Sequence, residues 1–166
     1  MTLSNIRGVA LLSALAAGFA LGLALASEKF GGLVPCALCL LERWPYRVAI
    51  VLALLALVVS HRFARLPLML VVLSMLAAVV LAAVHVGVEH HYWPSPLPEC
   101  AAPRFTGGSI ADRLAHMPAK PGKPCDDPTY LIPGLPVSMA AMNFLYALAF
   151  AVVLGGLLWR DRRNTP

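Results

Sequence analysis

The chain has 166 residues, of which 60% are hydrophobic and only 13% are charged, and its formal net charge is +5. Soluble domains are about 45–50% apolar and about 25% charged, so the composition excludes an ordinary soluble domain and also a disordered chain. The length fits one membrane domain, residues 1–166, with about four spans and their loops. The positive charge therefore raises the question of membrane sidedness, and nucleic acid is not expected as a partner.

Four apolar stretches predict transmembrane helices. A span needs about 20 mostly apolar residues, and runs rich in Ala, Leu and Val without a period of two favour helices over barrel strands. The expected fold is an all-α membrane protein, a four-helix bundle with spans at about 8–26, 40–60, 66–88 and 138–159. The second span requires Glu42, Arg43 and Arg47 to lie at the membrane lip. As an alternative, residues 7–26 resemble a signal peptide cleaved before Ser27.

The two outer loops, about 27–39 and 89–137, differ in character. The second is long, contains many prolines and carries two cysteines. Within it, Ser109 fits an N-cap, Asp112 occupies the capping-box position and Pro118 ends the pattern. We expect a short helix over residues 109–117, with one apolar face directed to the membrane surface or to the protein.

The charges predict the orientation of the bundle. With four spans both termini share a side, and that side has a net charge of +5 while the opposite side has none. The basic side holds one acid and six arginines, namely Asp161 with Arg7, Arg62, Arg65, Arg160, Arg162 and Arg163. The positive-inside rule places it in the cytoplasm. All four cysteines then lie outside, where disulfides can form.

Cys36-Ala37-Leu38-Cys39 is a CxxC pair near the predicted start of a helix. A helix N-terminus stabilises a thiolate, and CxxC thiols often have a depressed pKa, so the pair is a candidate nucleophile for disulfide exchange. It also fits a structural disulfide or half of a zinc site, completed by other cysteines or histidines (Cys100, Cys125, His85, His90, His91, His116). Haem attachment is disfavoured because Leu40, not histidine, follows the pair.

Arg43 and Arg47 follow Cys39 at i+4 and i+8 and are expected on its helix face. A guanidinium one turn from a cysteine can stabilise the thiolate and donate to a ligand carbonyl. The alternative is an interfacial arginine that reaches lipid phosphate. We favour the ligand role for Arg43, whereas Arg47 could serve topology or lipid contact.

His85 and Glu89 lie at i and i+4 near the outer end of the third span, and His90 and His91 follow. Ionisable groups inside a span are costly and often functional, and a histidine there could protonate a reduced ligand. The alternative is an interfacial histidine, or a His85–Glu89 pair that only steadies the helix end.

Cys100 and Cys125 lie 25 residues apart in the long loop, among prolines and polar residues that predict exposure. A disulfide there would be accessible to a partner thiol, or would simply close the loop. Two dithiol pairs on one face can pass electrons by thiol–disulfide exchange. The final acceptor cannot be another thiol, so an arginine-lined membrane lip indicates a lipid-soluble acceptor such as a quinone.

These residues together resemble the disulfide bond formation protein B (DsbB) family of bacterial inner-membrane thiol oxidoreductases. The resemblance covers nearly the whole chain. It rests on four spans and an ordered set of motifs: Cys36 to Cys39 followed by Glu42-Arg43, Trp44-Pro45-Tyr46, Gly87-Val88-Glu89, Trp93-Pro94-Ser95-Pro96, Cys100, Cys125, Ser138-Met139-Ala140 and Asn143-Phe144.

The resemblance implies a role for each matching residue. A partner thiolate would attack Cys100 of a Cys100–Cys125 disulfide, and Cys125 would then connect with Cys36. Cys39 would face the quinone, and Arg43 matches the arginine that binds it. A histidine near the quinone matches His90, with His85 and His91 as alternatives for that position. The expected cofactor-binding set is Arg43, His90, His85 and Glu89.

The resemblance also implies the partners and the location. The expected activity is reoxidation of a periplasmic DsbA-like thioredoxin-fold protein, with electrons passed to ubiquinone or menaquinone in the bilayer. The location implied is the bacterial inner membrane, with both termini cytoplasmic and the cysteines periplasmic. The alternatives are an oxidase dedicated to one partner, a non-catalytic metal-binding membrane protein that uses the Cys/His set, and a structural membrane protein with staple disulfides.

Overall fold

A computed structural model of the chain describes residues 3–60, 62–100, 109–111, 123–131 and 134–164. The described residues form four long helices and no strand. The helices are α1 (Leu3–Lys29), α2 (Ala37–Val58), α3 (Arg65–Glu89) and α4 (Met139–Asn164), with a short 3-10 helix at Pro98–Cys100. The all-α prediction is therefore confirmed. Of the short helix predicted over 109–117, Ile110 and Ala111 are helical, and residues 112–117 lie outside the described residues.

Three of the described helices are long and apolar enough to cross a membrane, over Ile6–Lys29, Arg65–Glu89 and Met139–Arg163. They correspond to the first, third and fourth predicted spans. The helix α2 is not among them, and it differs by three charged side chains in its first half (Glu42, Arg43 and Arg47). The chain is therefore a membrane protein, and the fourth span remains a proposal.

The helix interfaces are built from small residues. Ala17, Ala53, Ala78 and Ala147 are fully buried where helices meet, whereas many Leu, Val and Phe side chains point outward. Small residues let helix backbones approach closely, and in lipid the larger apolar side chains need no burial inside the protein. The helices pack in sequence, α1 on α2, α2 on α3 and α3 on α4. A groove runs between α1 and α4, where the Tyr146 hydroxyl donates to the Ala16 carbonyl across 2.9 Å.

The end of α3 is fixed by a Schellman motif. The N–H of Tyr92 donates to the Gly87 carbonyl, the N–H of His91 donates to the Val88 carbonyl, and His91 has the left-handed φ of 57°. This is the hydrogen-bond pattern of a helix C-terminus, in which glycine usually occupies the left-handed position. The turn folds the Trp93 ring onto Gly87.

The start of α4 is held against that turn. The Ser138 hydroxyl accepts the Ala141 N–H (3.1 Å), as an N-cap does, and donates to the Glu89 carboxylate across 2.5 Å. The predicted helix start at residue 138 is confirmed to within one residue, and α4 extends five residues beyond the predicted end at 159. The outer ends of α3 and α4 are thus tied together close to the cysteines.

Candidate active site

The helix α2 begins at the CxxC pair, with Cys36 as its N-cap. The Cys36 Sγ accepts the Cys39 backbone N–H at 3.2 Å, and the two Sγ atoms lie 2.9 Å apart as free thiols. The hydrogen bond from the Cys39 side chain is the main cause that lowers the pKa of Cys36. Backbone N–H groups of the first helical turn lower this pKa too, and burial opposes them. Cys36 is therefore the thiol whose negative charge the helix start stabilises.

A buried polar network leads away from Cys36. The His85 Nε2 lies 3.5 Å from the Cys36 Sγ, and the His85 Nδ1 lies 2.7 Å from Glu42 Oε1. The Asn143 side-chain N–H donates to the other Glu42 oxygen across 2.6 Å, and the Tyr46 hydroxyl donates to Asn143 Oδ1. Each carboxylate oxygen thus has a donor, as a buried charge requires. The network joins α2, α3 and α4 beneath one cysteine sulfur.

The second cysteine pair packs on the first. Cys100 and Cys125 form a disulfide, and together with Cys36, Leu38 and Val88 they make one buried cluster, with Cys39 packed against it. The 3-10 helix that ends at Cys100 contacts α2, and a parallel backbone bridge links Cys36 to Lys123. All four cysteines therefore lie at one end of the bundle, within a single cluster. A zinc site built from four cysteine thiolates is not formed here, since two of them are joined to each other.

The loop disulfide is buried, contrary to the exposure predicted from its polar neighbours. The exposed fraction is 4% for Cys100 and 1% for Cys125. The prediction was wrong because it considered the polar sequence neighbours, whereas both cysteines pack in an apolar cluster with Leu38 of α2, Val88 of α3 and the nearby Leu97.

An apolar cavity of about 290 Å³ opens between α1 and α4 and reaches the CxxC pair. Its lining includes Cys39 and Arg43, and its walls are mainly apolar. Arg43 is buried, and its guanidinium donates to the Glu28 carboxylate across 2.8 Å. The other residues of interest in the lining are Phe19, Leu23, Glu42, Tyr46, Met139, Asn143 and Tyr146. A ligand here would meet a thiol and a guanidinium together.

The other predicted site residues lie elsewhere. Arg47 is exposed and stacks on the Trp44 ring at 5.2 Å, because eight residues of α-helix rotate the side chain by about 80° from Cys39. His85 lies behind Cys36, and its carboxylate partner is Glu42, not the predicted Glu89. Of the described residues that line the cavity, none is His85, Glu89 or His90. Their predicted contact with a quinone stays a prediction.

A comparison with protein families identifies the family of the chain. A family model described as "Disulfide bond formation protein DsbB" matches residues 6–157. The chain belongs to the DsbB family. An uncharacterized protein of Rickettsia prowazekii (strain Madrid E) is 28% identical to it over 146 residues, which cover 87% of this chain and 83% of the relative. No solved structure shows a significant match.

DsbB-family membership makes the chain a membrane thiol oxidoreductase of disulfide formation, in agreement with its apolar helices. The predicted resemblance is thereby confirmed. Electrons can pass between two cysteine pairs by thiol–disulfide exchange when the pairs come into contact. Here both pairs lie in one cluster.

Glu42, Tyr46 and Asn143 belong to this DsbB-family site but are not predicted as site residues from the sequence. The sequence predicts Glu42 only at the membrane lip, and Asn143 only as part of a family motif. Glu42 and Tyr46 lie at i and i+4, so their common helix face was visible in the sequence. The contact of Glu42 with His85, 43 residues away, depends on helix packing and left no sequence signal.

Proposed function

We propose that this DsbB-family chain takes electrons from a periplasmic DsbA-type dithiol protein and passes them through its two cysteine pairs to ubiquinone or menaquinone. The observation that carries the proposal is a continuous path of contacts. The Cys100–Cys125 disulfide packs on Cys36, the Cys36 and Cys39 sulfurs lie 2.9 Å apart, and Cys39 lines the cavity together with Arg43.

The proposal includes an orientation of the helix bundle in the membrane. The helix α2 serves as the fourth span, with its charged first half at the outer lip, and both termini lie in the cytoplasm. Support comes from the arginines at the end of the bundle opposite the cysteines, where Arg65 donates to the Leu158 carbonyl and approaches Asp161. The positive-inside rule assigns that end to the cytoplasm and the cysteine end to the periplasm.

The first exchange takes place at Cys100. The partner thiolate attacks the Cys100 sulfur, the bond to Cys125 breaks, and Cys125 leaves as a thiolate. The partner's second thiolate then attacks its own sulfur in the mixed disulfide and frees Cys100, so the partner leaves oxidised and the loop pair is reduced. Because both loop cysteines are buried, this exchange requires the loop to open around Cys100.

The second exchange takes place at Cys36. With the inner pair oxidised, the Cys125 thiolate attacks Cys36 and Cys39 is released as a thiolate at the cavity. Cys100 then attacks Cys125, restores the loop disulfide and frees Cys36. The His85 Nε2, at 3.5 Å, is placed to accept or return the proton of Cys36, and Glu42 holds the imidazole in that orientation.

The cavity fits a quinone by the chemistry of its lining. Its volume is near the lower end of the range of small-molecule sites, about 300–1,000 Å³, and its apolar walls suit a ring with a lipid tail. A bound quinone would accept two electrons and two protons from the inner pair. Arg43 would donate a hydrogen bond to a carbonyl oxygen, and Glu28 keeps its guanidinium in place. Cys39 is the thiol at the cavity.

A quinone-reduction assay tests the proposal. The full-length protein in detergent receives a reduced DsbA-type partner and a soluble quinone, and the loss of quinone absorbance gives the rate. We expect Cys39→Ser and Cys100→Ser each to abolish turnover. Arg43→Ala removes a charge-assisted hydrogen bond worth about 1.5–3 kcal/mol and should raise the KM for quinone about 10- to 100-fold.

Arg47→Ala is the matched control, because Arg47 lies one turn further along the same helix and outside the cavity. Its KM should stay within about twofold of wild type, since it removes the same charge without a contact to the ligand. Turnover at the wild-type rate in Cys39→Ser would refute the mechanism. Equal changes in the two arginine variants would refute the cavity as the quinone site.

A further inference from the structure

The free thiols and His85 form a group whose donor atoms could share one ligand. Cys36, Cys39 and His85 each offer one such atom, and the three atoms all lie within 4.8 Å of one another. Cys36 and His85 are buried and Cys39 is half-buried. Two thiolates and an imidazole are donors preferred by Zn²⁺ and other thiophilic cations.

The spacing of these donors fits zinc at the sulfur–nitrogen edge and is too short at the sulfur–sulfur edge. With Zn–S bonds of about 2.3 Å and a Zn–N bond of about 2.05 Å, tetrahedral angles separate sulfur from nitrogen by about 3.5 Å. The Cys36 Sγ and His85 Nε2 are 3.5 Å apart. The same geometry requires about 3.8 Å between the sulfurs, which are 2.9 Å apart. Zinc binding therefore requires the Cys39 side chain, which is only half-buried at the cavity, to move its sulfur away from Cys36 by about 0.9 Å.

The imidazole is already oriented for a metal. Glu42 Oε1 lies 2.7 Å from the His85 Nδ1, so an ionised carboxylate accepts the Nδ1 proton and leaves the Nε2 lone pair facing Cys36. Histidine ligands of zinc commonly donate their second N–H to a carboxylate, which fixes the tautomer and the ring direction. Glu42 is held in turn by Asn143.

The charges of the group also suit a divalent cation. Two thiolates and a neutral imidazole around Zn²⁺ make a complex without net charge, so the large cost of placing an unpaired ion in a buried site does not arise. The Glu42 carboxylate adds a negative charge beside the group, where a cation is favoured, and the Arg43 guanidinium is paired with Glu28.

We infer that the reduced Cys36–Cys39 pair and His85 form a binding site for Zn²⁺. Two thiols lose their protons to solvent and two Zn–S bonds form, and no electron is transferred. The oxidised pair cannot bind, because its sulfurs are bonded to each other. Bound zinc occupies both sulfurs and so keeps the inner pair reduced, which stops disulfide formation. The site requires neither quinone nor partner protein, so it can hold even if the proposed function fails.

Zinc titration of the full-length protein in detergent tests this site. A Cys100→Ser/Cys125→Ser background ensures that all thiolate-bound zinc belongs to the inner pair. The protein is reduced with a phosphine, freed of reductant without oxygen, and titrated with Zn²⁺ against a coloured chelator. We expect about one zinc per chain in the reduced protein and less than about a tenth of that in the oxidised protein, since zinc needs the free thiolates.

Variants then test the imidazole and its carboxylate. We expect His85→Gln and Glu42→Gln each to weaken zinc binding about 10- to 100-fold. The matched control is His90→Gln, because His90 stacks on Tyr92 outside the group, and its affinity should stay within about twofold. X-ray absorption at the zinc edge counts two sulfur ligands and one imidazole without any substitution of His85.

Two results would overturn the inference. One is the absence of stoichiometric zinc in the reduced background protein. The other is a spectrum without an imidazole ligand, or a His85→Gln affinity equal to that of the background, since either would mean that the two thiols bind zinc without His85.

Discussion

Gly87 lacks a side chain, and the Trp93 ring packs against it at the turn that ends α3. A Cβ at this position would lie 2.0 Å from Cζ2 and 2.4 Å from Cε2 of the Trp93 ring. The ring is anchored there by its indole N–H, which donates to the Val84 carbonyl across 3.1 Å. We therefore expect Gly87→Ala to expel the ring from the helix surface.

The size of the effect follows from three contributions. Loss of the indole hydrogen bond costs about 0.5–1.5 kcal/mol, and overpacking costs about 1–3 kcal/mol. Replacing a helical glycine by alanine returns about 0.5–1 kcal/mol. The net loss in the free energy of unfolding is about 2 kcal/mol, which for a chain of this size lowers Tm by about 4–8 °C.

Thermal unfolding in detergent measures this change, with Gly18→Ala as the matched control. Gly18 is also helical, but a Cβ there meets nothing within 4 Å, so its substitution should leave Tm unchanged or raise it by a few degrees. A Gly87→Ala protein that melts at or above the wild-type temperature would refute the reasoning. It would mean that Trp93 does not rest on Gly87 in solution.

Three further substitutions test separate features. His91→Gly should stabilise the fold by up to about 1 kcal/mol, because it relieves a left-handed φ; a lower Tm would contradict the turn. Cys39→Ala should raise the pKa of Cys36 because it removes a side-chain donor, whereas Cys39→Ser keeps a donor. Ultraviolet titration of the Cys36 thiolate measures both pKa values. Equal titration midpoints in the two variants would contradict this hydrogen bond. Ser138→Ala should lower the free energy of unfolding by about 1–2 kcal/mol, because it removes an N-cap and the donor to Glu89. Ser138→Thr keeps both hydrogen bonds, so its Tm in the same melting experiment should fall less.

The helices could be predicted from sequence because their signal is local. Long apolar runs between polar connections identify each helix. The predicted end of the third span at 88 and the predicted start of the fourth at 138 each agree with the structure to within one residue. The start of α2 at Ala37 agrees with the helix start predicted near the CxxC pair, whereas the predicted span begins three residues later, at about residue 40.

The site could be predicted only where its residues are neighbours in the chain. Cys39 and Arg43 are one helical turn apart, and they do line the same cavity. The partner of His85 could not be predicted, since a nearby Glu89 was available and the distant Glu42 is brought close only by the packing of α2 on α3. The predicted exposure of Cys100 and Cys125 failed for a similar reason, because Leu38 and Val88, which pack with them, come from α2 and α3.

The burial of the disulfide has a consequence for which thiols can reduce it. Exchange requires a thiolate to reach a sulfur, so a disulfide with both sulfurs shielded reacts slowly with small thiols that collide at random. A folded protein can instead use its binding surface to displace the side chains packed on the disulfide before its cysteine attacks. We expect this packing to act as a kinetic filter, so that small thiols such as glutathione reduce the cysteine pairs only slowly. Comparing rates of reduction by glutathione and by a DsbA-type protein at equal thiolate concentration would measure that filter directly.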